Sequence, residues 1–429
     1  YDNSEDLIPL LSDPEDERIS RTDFGSYSRQ KFSDDLLSFN GGRALSSEQK
    51  TLVAESYEAV KWLASHGVTY EPIYSRQSFE KDGKIIFWGG LTLAADNEGV
   101  GLYEMEAKAF RNMGGTLHLN SGVTGLMASD NAVTGVLVGD EAIPADSVIL
   151  ACGGFEANQE LRANEFGDEW KDAKVRGTPH NTGDGLEMAF ALGAQRYGKY
   201  DGCHATPMDL HMKDFGNLDI APKLRKNYRK ICYFLGVMMN ANGDRFVDEG
   251  INFRNYTYAQ FGRAVLEQPD HFAWQIFDSK VFDLLYEEYR FDDASFVEAD
   301  DLTDLVAQLS GVDQDKALAT LQEFNEAVDD NVTFDPTILD GKSTKGLALS
   351  KSNWALKFDT PHYRAFPVTG GITFTYGGLK IDERGCVLSE QNTAISGLYA
   401  CGELIGGVFY GGYPGGSGLT SGTVFGRRA

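Results

Sequence analysis

The feature that most constrains this chain is the clustering of its glycines, several of which follow directly on apolar segments. The sequence of 429 residues contains 48 glycines, about 11% against a usual level of about 7%. In one cluster the apolar run SVILA (147–151) leads straight into Cys152-Gly153-Gly154. A buried strand that ends in a glycine turn is a common place for a ligand in an α/β fold, because the backbone approaches the ligand without a Cβ clash.

Helical and strand patterns alternate around these clusters. Ser46 and Gln49 form a capping-box pattern ahead of an apolar periodicity typical of a helix that ends at Gly67. The segments VTGLMAS and AVTGVLV flank residues 130–131 as in a β-hairpin, and GTLHLN (115–120) before them has the pattern of a strand. We therefore predict that the fold class is α/β around these clusters, and that the chain as a whole is α+β.

Residues 204–366 differ in composition from the rest of the chain. They are richer in aromatic and charged residues and contain helical patterns such as DKALATLQEFNEAV, and the glycine-rich pattern returns at Pro367. We predict a discontinuous α/β domain made of residues 1–203 and 367–429. We predict that residues 204–366 form an inserted capping lobe that is mainly helical and contains some strands.

Charge and cysteine content exclude several classes of protein. Lys and Arg total 39 against 64 Asp and Glu, a net charge of −25, and so acidic a chain is a poor candidate for nucleic-acid or anionic-membrane binding. No stretch approaches about 18 uninterrupted apolar residues, so we expect no transmembrane segment. The five cysteines show neither a CxxC pair nor zinc-ligand spacing, so we expect no metal site and a cytoplasmic location with reduced thiols.

Six glycine-containing motifs occur in order along the chain. They are ACGGF (151–155), TGDGLEMAFALGA (182–194), RFVDEGINFR (245–254), TYGGLKID (375–382), GLYACGE (397–403) and YPGGSGLTSGTVFGR (413–427). Each motif alone is weak, but their order resembles the flavoproteins of the fumarate reductase and succinate dehydrogenase family over nearly all of the chain. The resemblance implies a Rossmann-like FAD-binding domain with an inserted capping domain, and FAD as the cofactor.

One part that the resemblance implies does not occur in the sequence. The family begins with a βαβ unit that carries GxGxxG, where the FAD pyrophosphate meets a helix N-terminus, and no GxGxxG occurs in the 429 residues. The first residues resemble the segment that follows this unit, and the last motif ends inside a helical pattern. We therefore expect a chain that lacks the first βαβ unit and is truncated at both ends, with FAD binding dependent on that unit.

The resemblance assigns a set of residues to the cofactor. Gly153 and Gly154 would let the backbone approach a flat cofactor, and Glu403 would accept hydrogen bonds from the ribityl hydroxyls. The helix that starts near Ser417 would direct its positive dipole end at the flavin. The alternatives are a solvated loop carboxylate at Glu403 and an ordinary capping residue at Asp184. The complete set is Val123, Ala151, Gly153, Gly154, Thr182, Gly183, Asp184, Gly377, Glu403, Ser417, Gly418, Leu419 and Thr420.

Residues of the middle segment match substrate positions of the family. His204 falls where fumarate reductases carry a carboxylate-binding histidine, followed two residues later by Thr206. Arg254 matches the acid–base arginine of the family. Its spacing from Glu249 is one residue longer than in the family pattern. Because a free arginine stays charged, we predict that Glu249 or Asp248 relays the proton when Arg254 acts as a base. The alternatives are a structural histidine and an arginine paired with an acidic neighbour at the surface.

Two positions depart from the fumarate reductase pattern. Phe374 stands where fumarate reductases carry a substrate histidine, ahead of Thr375, and Tyr413 stands where they carry an arginine. The segment YPGG instead resembles the 3-oxosteroid dehydrogenases, whose tyrosine there hydrogen-bonds a substrate carbonyl. A tyrosine hydroxyl equally binds a carboxylate, or has a structural role. Arg76 is a further candidate anion contact.

A basic cluster interrupts this acidic sequence. It consists of Lys223, Arg225, Arg229 and Lys230. Such a cluster is usually a solvated face, but it also attracts a polyanion towards a cleft. Both interpretations stay open at the level of the sequence.

Together these residues predict an FAD-dependent oxidoreductase that dehydrogenates or reduces a C–C bond next to a carboxylate. The resemblance implies a di- or tricarboxylic acid such as tricarballylate as substrate, hydride transfer to flavin N5, and an electron acceptor that the sequence does not identify. Phe374 and Tyr413 favour a 3-oxosteroid-type ketone dehydrogenase as the alternative, whereas His204 and Arg254 oppose it. The absent βαβ unit supports a further alternative, a non-catalytic flavin-binding or electron-transfer subunit.

Overall fold

The computed structural model describes residues 1–87, 92–129, 132–213, 215 and 220–429. Its helices, in chain order, are α1 (Arg29–Phe39), α2 (Ser47–Ser65), α3 (Tyr74–Gln77), α4 (Glu98–Asn112), α5 (Gln159–Phe166), α6 (Asp184–Phe190), α7 (Arg254–Leu266), α8 (Leu302–Val306), α9 (Gln314–Ala327) and α10 (Ser417–Gly426). Its strands are β1 (Thr22–Asp23), β2 (Tyr70–Pro72), β3 (Ser78–Lys81), β4 (Lys84–Phe87), β5 (Leu93–Ala95), β6 (Gly125–Ser129), β7 (Ala132–Val138), β8 (Glu141–Pro144), β9 (Val148–Leu150), β10 (Lys174–Val175), β11 (Arg196–Tyr197), β12 (Cys203–Asp209), β13 (Val237–Met239), β14 (Phe272–Asp278), β15 (Val297–Ala299), β16 (Tyr363–Thr375), β17 (Gly378–Leu379), β18 (Cys386–Leu388) and β19 (Ala394–Ala400).

One sheet brings two of the glycine motifs together. Its strands lie in the order β18-β19-β7-β6, with β8 paired to β7 and β9 paired to β19. β9 and β19 run parallel, and their pairing ends with Leu150 opposite Ala400. Because parallel strands end at the same edge of a sheet, the turns that follow them, Cys152-Gly153-Gly154 and Cys401-Gly402-Glu403, lie next to each other.

A second sheet is built around the 13-residue strand β16. β10, β12, β14 and β15 pair with β16, and β13 extends the sheet through β14. β12 runs antiparallel to β16 and places His204 opposite Phe374. The predicted domain boundaries at 203/204 and 366/367 fall inside β12 and β16, so both strands continue from one predicted unit into the other. The division into two domains stays a prediction.

Helix α7 packs against β12 at very short range. A Cβ on Gly262 would lie 2.4 Å from the backbone of Ala205 and Thr206, so a larger residue at position 262 would push the helix away from the strand. This contact holds the residues of α7 against the strand that carries His204.

Several elements predicted from the sequence are confirmed. Ser46 caps α2, and its capping box with Gln49 forms. β6 and β7 form the predicted hairpin, although its turn at residues 130–131 lies outside the described residues. The strand predicted over 115–120 is wrong, because Leu117 and Leu119 are exposed on an irregular segment that pairs with no strand of the described chain. Across the described ranges, no helix is long and apolar enough to cross a membrane.

Candidate functional site

A large cavity lies where the ends of both sheets meet α2, α4, α7 and α10. Its volume is about 1730 Å³, well above the roughly 300–1,000 Å³ of an ordinary small-molecule pocket. It therefore has room for a large cofactor and a substrate together. The predicted site residues that line it are Ala151, His204, Arg254, Phe374, Thr375, Glu403, Tyr413, Ser417, Gly418, Leu419 and Thr420.

Three hydrogen-bonding side chains form a chain along one wall of the cavity. The Tyr258 hydroxyl donates to the Tyr413 oxygen over 3.2 Å, and the Tyr413 hydroxyl lies 2.6 Å from His204 Nδ1. Since Tyr258 donates to Tyr413, the Tyr413 proton points at Nδ1, which accepts it. The rings of Tyr258, Phe374 and Tyr413 each meet the His204 ring edge to face, and this packing fixes the orientation of the imidazole.

This chain of hydroxyls sets the protonation of His204. With Nδ1 as acceptor, the neutral imidazole carries its proton on Nε2. His204 is 2% exposed, and its Nε2 has no hydrogen-bond partner among the described residues. Burial lowers the pKa of His204 well below its ordinary value, and the positive charges of Arg176 and Arg229 lower it further. His204 therefore presents a neutral N–H donor to a ligand.

Arg254 lies at the start of α7 and is 3% exposed. Its guanidinium carbon is 5.7 Å from the ring centre of Tyr258 and 5.5 Å from that of Tyr286. Burial alone lowers the pKa of Arg254, but the neighbouring tyrosine hydroxyls, that of Tyr286 above all, raise it overall. The guanidinium therefore stays protonated, which suits an anion-binding group or a proton donor better than a base.

The structure pairs Glu249 with Arg245. Glu249 is fully buried and accepts hydrogen bonds from the Met238 N–H at 2.8 Å, from Arg245 Nε at 3.1 Å and from Arg245 Nη2 at 2.5 Å. Asp248 accepts a hydrogen bond from the Ser352 N–H. Neither acid is among the described residues that line the cavity. A proton relay through Glu249 or Asp248 stays a prediction.

The glycine turn after β9 leaves room for a pair of carboxyl groups. A Cβ on Gly154 would lie 2.0 Å from Thr375 Oγ1 and 2.3 Å from Glu403 Oε1, so these side chains require glycine there. Glu403 Oε1 accepts a hydrogen bond from the Thr375 N–H at 2.7 Å. Burial and the charge of the neighbouring Glu156 raise the pKa of Glu403 well above its ordinary value. The Glu156–Glu403 pair beside the cavity therefore keeps a proton to a higher pH than an exposed glutamate does.

Replacing Glu156 with glutamine is expected to flatten the pH dependence of the free energy of unfolding. The pKa of Glu403 is raised above 4.5 by burial and by Glu156. The contribution of Glu403 to stability is therefore complete below about pH 4.5. It is lost as the pH rises through the pKa that Glu403 has in the folded protein. Glutamine removes the neighbouring charge, so less stability is lost. Urea unfolding at about pH 5 to 9 measures this.

The control for this prediction is Glu160→Gln, on the exposed surface of α5, which is expected to keep the wild-type pH dependence. Equal slopes for wild type and Glu156→Gln would contradict an effect of Glu156 on the pKa of Glu403.

The first turn of α10 forms another part of the cavity wall. Gly416, with φ of +87°, begins the helix, and residues 417–420 all line the cavity. The first backbone N–H groups of a helix have no partner within the helix. They present the positive end of the helix dipole to whatever occupies the cavity, which favours an anionic or electron-rich group.

Some predicted residues lie away from this wall. Besides Glu249, those that do not line the cavity in the described structure are Val123, Gly153, Gly154, Thr182, Gly183, Asp184, Thr206 and Gly377. Gly153 and Gly183 have packing roles, since a Cβ on them would strike Asn181 and Leu161 respectively. Arg76 lies in α3, but its side chain is outside the described residues. Their predicted contacts with cofactor or substrate stay predictions.

The structure also brings residues to the cavity that the sequence did not assign to a site. Among them are Arg176, Asn227, Arg229 and Tyr258. Tyr258 lies four residues after Arg254, so helical periodicity alone places both on one side of α7. Arg229 belongs to the basic cluster that the sequence shows. Arg176 follows the two-residue strand β10 and carried no sequence signal.

The fold and the cavity define a protein with room for a large cofactor where the ends of its two sheets meet. Three features fit FAD: the cavity volume, the glycine turn that brings Glu403 to the wall, and the amide-lined start of α10. The chain belongs to the FAD binding domain family, whose sequence model matches residues 21–419. This confirms FAD as the cofactor and the predicted FAD-binding α/β fold.

Known proteins support the same class. A probable fumarate reductase, Ifc3 of Shewanella frigidimarina, is 28% identical over 391 residues, which cover 88% of this chain and 60% of the relative. A 3-oxosteroid 1-dehydrogenase of Mycobacterium tuberculosis is 28% identical over 293 residues, which cover 62% of this chain and 49% of the relative. The open conformation of a flavocytochrome c3 fumarate reductase aligns with a TM-score of 0.67 and 26% identity, over 94% of this chain and 66% of that chain. The chain thus spans less than two thirds of the length of each of them.

Proposed function

We propose that this protein is an FAD-dependent oxidoreductase that dehydrogenates, or in reverse reduces, a C–C bond next to a carboxylate. The observation that carries the proposal is the convergence of His204 and Arg254 on Tyr258 in one cavity. One presents a neutral N–H donor and the other a buried cation. Hydrogen bonds to a carboxylate from such groups are roughly twice as strong as neutral ones, and fumarate reductase relatives support the same chemistry.

Bound FAD would supply the acceptor for a hydride. Ala151, Glu403 and the first turn of α10 would hold it. His204 Nε2 would donate to a carboxylate oxygen of the substrate and so orient the adjoining carbon. Arg254 would hold a proton at its guanidinium for the neighbouring carbon in the reductive direction.

A di- or tricarboxylic acid such as tricarballylate is the substrate that we propose. The segments SRQSFEKDGKIIFWGGL, DGCHA, DEGINFRNYTYA and GITFTYGGL resemble FAD-dependent tricarballylate dehydrogenase more than the family at large. Residues 88–91 of the first segment lie outside the described residues. The electron acceptor is not identified, and a cytoplasmic location stays a prediction.

A 3-oxosteroid-type ketone dehydrogenase is the second candidate. Tyr413 and Phe374 belong to a cluster of aromatic rings with Tyr376 and Phe409, which suits an apolar ligand, and a steroid dehydrogenase is among the relatives. Against this candidate, the Tyr413 hydroxyl is already hydrogen-bonded to His204, so a ketone oxygen would have to compete for it.

Anaerobic titration of the FAD-loaded holoenzyme tests the proposal. We expect tricarballylate or succinate to bleach the oxidised flavin and a 3-oxosteroid to leave it unchanged, because a carboxylate gains charge-assisted hydrogen bonds that a ketone lacks. The visible spectrum is the readout. Bleaching by the steroid alone would move the assignment to the ketone dehydrogenase. A flavin that none of them bleaches would indicate a non-catalytic flavin-binding or electron-transfer subunit.

A further inference from the structure

The basic cluster seen in the sequence divides into an exposed and a buried half. Its first two members are exposed, whereas Arg229 is 8% exposed and Lys230 is fully buried. Lys230 Nζ donates to the Glu288 carbonyl oxygen at 2.6 Å and lies 3.5 Å from Asp209 Oδ2. The second half of the cluster is therefore part of the protein interior rather than a solvated face.

Arg229 is held by one end of its guanidinium. Nη2 donates to Glu288 Oε1 at 2.6 Å, while Nε is buried and has no hydrogen-bond partner in the part of the chain that the structure describes. Arg229 lines the same cavity as His204. Because leaving a buried donor unpaired is costly, the Nε–H is suited to a ligand in that cavity.

Asn227 shows the same feature two residues earlier. It lines the cavity, and its buried Oδ1 has no partner within the described ranges. The oxygen and nitrogen of a side-chain amide exchange places by rotation about one bond, so this group also presents N–H donors to an anion.

Arg229 and Asn227 approach the cavity at a distance from His204. The backbone of Arg229 forms a bridge with Met208, which lies four residues beyond His204 on β12, roughly 13 Å along a strand. The charge of Arg229 still acts on His204, whose pKa it helps to lower. An elongated small molecule would therefore contact both places.

We propose that Arg229 and Asn227 form a second carboxylate-binding point in the cavity, so that the substrate carries a carboxylate at each end. The ion pair with Glu288 holds the guanidinium in place before the ligand arrives, which lowers the entropy lost on binding. This inference rests on the proposed function, because it adds two substrate-binding residues to the same cavity. It requires a di- or tricarboxylate and excludes a monocarboxylate as a good substrate.

The variant Arg229→Lys tests this second point. Lysine keeps the positive charge beside Glu288 but has no Nε–H and no planar fork. The probes are citrate, which has several carboxylates but no CH–CH bond to oxidise, and acetate, which has one carboxylate. In calorimetric titrations of the FAD-loaded holoenzyme, we expect citrate to bind on the order of 10- to 100-fold more weakly to the variant, with acetate unchanged. The matched control is Arg364→Lys, at a surface pair with Glu298, which is expected to alter neither.

A double variant separates a binding effect from a folding defect. Arg229→Gln combined with Glu288→Gln removes both charges of the pair and leaves no buried charge alone, and we expect the same loss of citrate binding. Unchanged citrate binding in Arg229→Lys and in the double variant would overturn the inference. So would wild-type enzyme that binds citrate no more tightly than acetate. Failure of the proposed function has a different signature, since no carboxylate would then bleach the wild-type flavin.

Discussion

Replacing Arg254 with lysine is expected to lower turnover by on the order of 10²-fold or more while bound FAD and fold are retained, the usual scale for a positioned acid–base group. Lysine keeps the charge but loses the planar fork that packs between Tyr258 and Tyr286. The proton and the carboxylate would then be held in the wrong place. Steady-state turnover, substrate affinity and flavin content measure the effect.

Two further variants bracket this result. Arg263→Lys is the matched control, because Arg263 lies on the same helix but donates to the Asp201 carbonyl oxygen and is not among the described residues that line the cavity. Tyr413→Phe is expected mainly to weaken substrate affinity, since it removes the hydroxyl that orients His204. Near-normal turnover in Arg254→Lys would remove Arg254 from the chemistry.

Replacing Glu249 with glutamine is expected to lower the free energy of unfolding by about 3–5 kcal/mol, the usual cost of breaking a buried ion pair. Glu249 compensates the buried charge of Arg245. It also opposes the effect of burial on Lys351, whose pKa is lowered to about 8 by that burial. Glutamine would leave Arg245 without its ion-pair partner and would remove the carboxylate that most favours the charged form of Lys351. Denaturant unfolding measures the change.

The same variant distinguishes the two roles of Glu249. Glu298→Gln, which removes an acid from an exposed pair with Arg364, is the control and is expected to cost less than about 1 kcal/mol. If Glu249→Gln instead kept wild-type stability and lost turnover, the predicted proton relay from Arg254 would be supported over the structural ion pair.

The local elements were predictable because each depends on a few neighbouring residues. The capping box of Ser46 and Gln49 begins α2, and the apolar run before Gly153 forms β9 as expected. The strand predicted at 115–120 had the right alternation of side chains. Alternation does not supply a partner strand, however, and that is a property of the whole fold.

The site was predictable only where a motif names the residue. His204, Arg254 and Tyr413 come from three separate motifs and share the cavity. Arg229 reaches it through a backbone bridge with Met208, a long-range contact that no sequence period encodes. Glu249 shows the converse, because closeness to Arg254 in the sequence suggested a partnership while its side chain binds Arg245.

The pairing of β12 with β16 also bears on how the molecule folds. His204 and Phe374 face each other across these strands, although they are about 170 positions apart in the chain, and contacts of such high order form slowly. Bringing the two strands together costs the entropy of the long segment between them. The collapse of that segment must offset this cost before the strands meet. Until then the part of β16 that pairs with β12 has an open edge that other chains can join, which is a known route to aggregation. Completing the cavity wall and closing that edge are therefore one and the same step on the folding pathway.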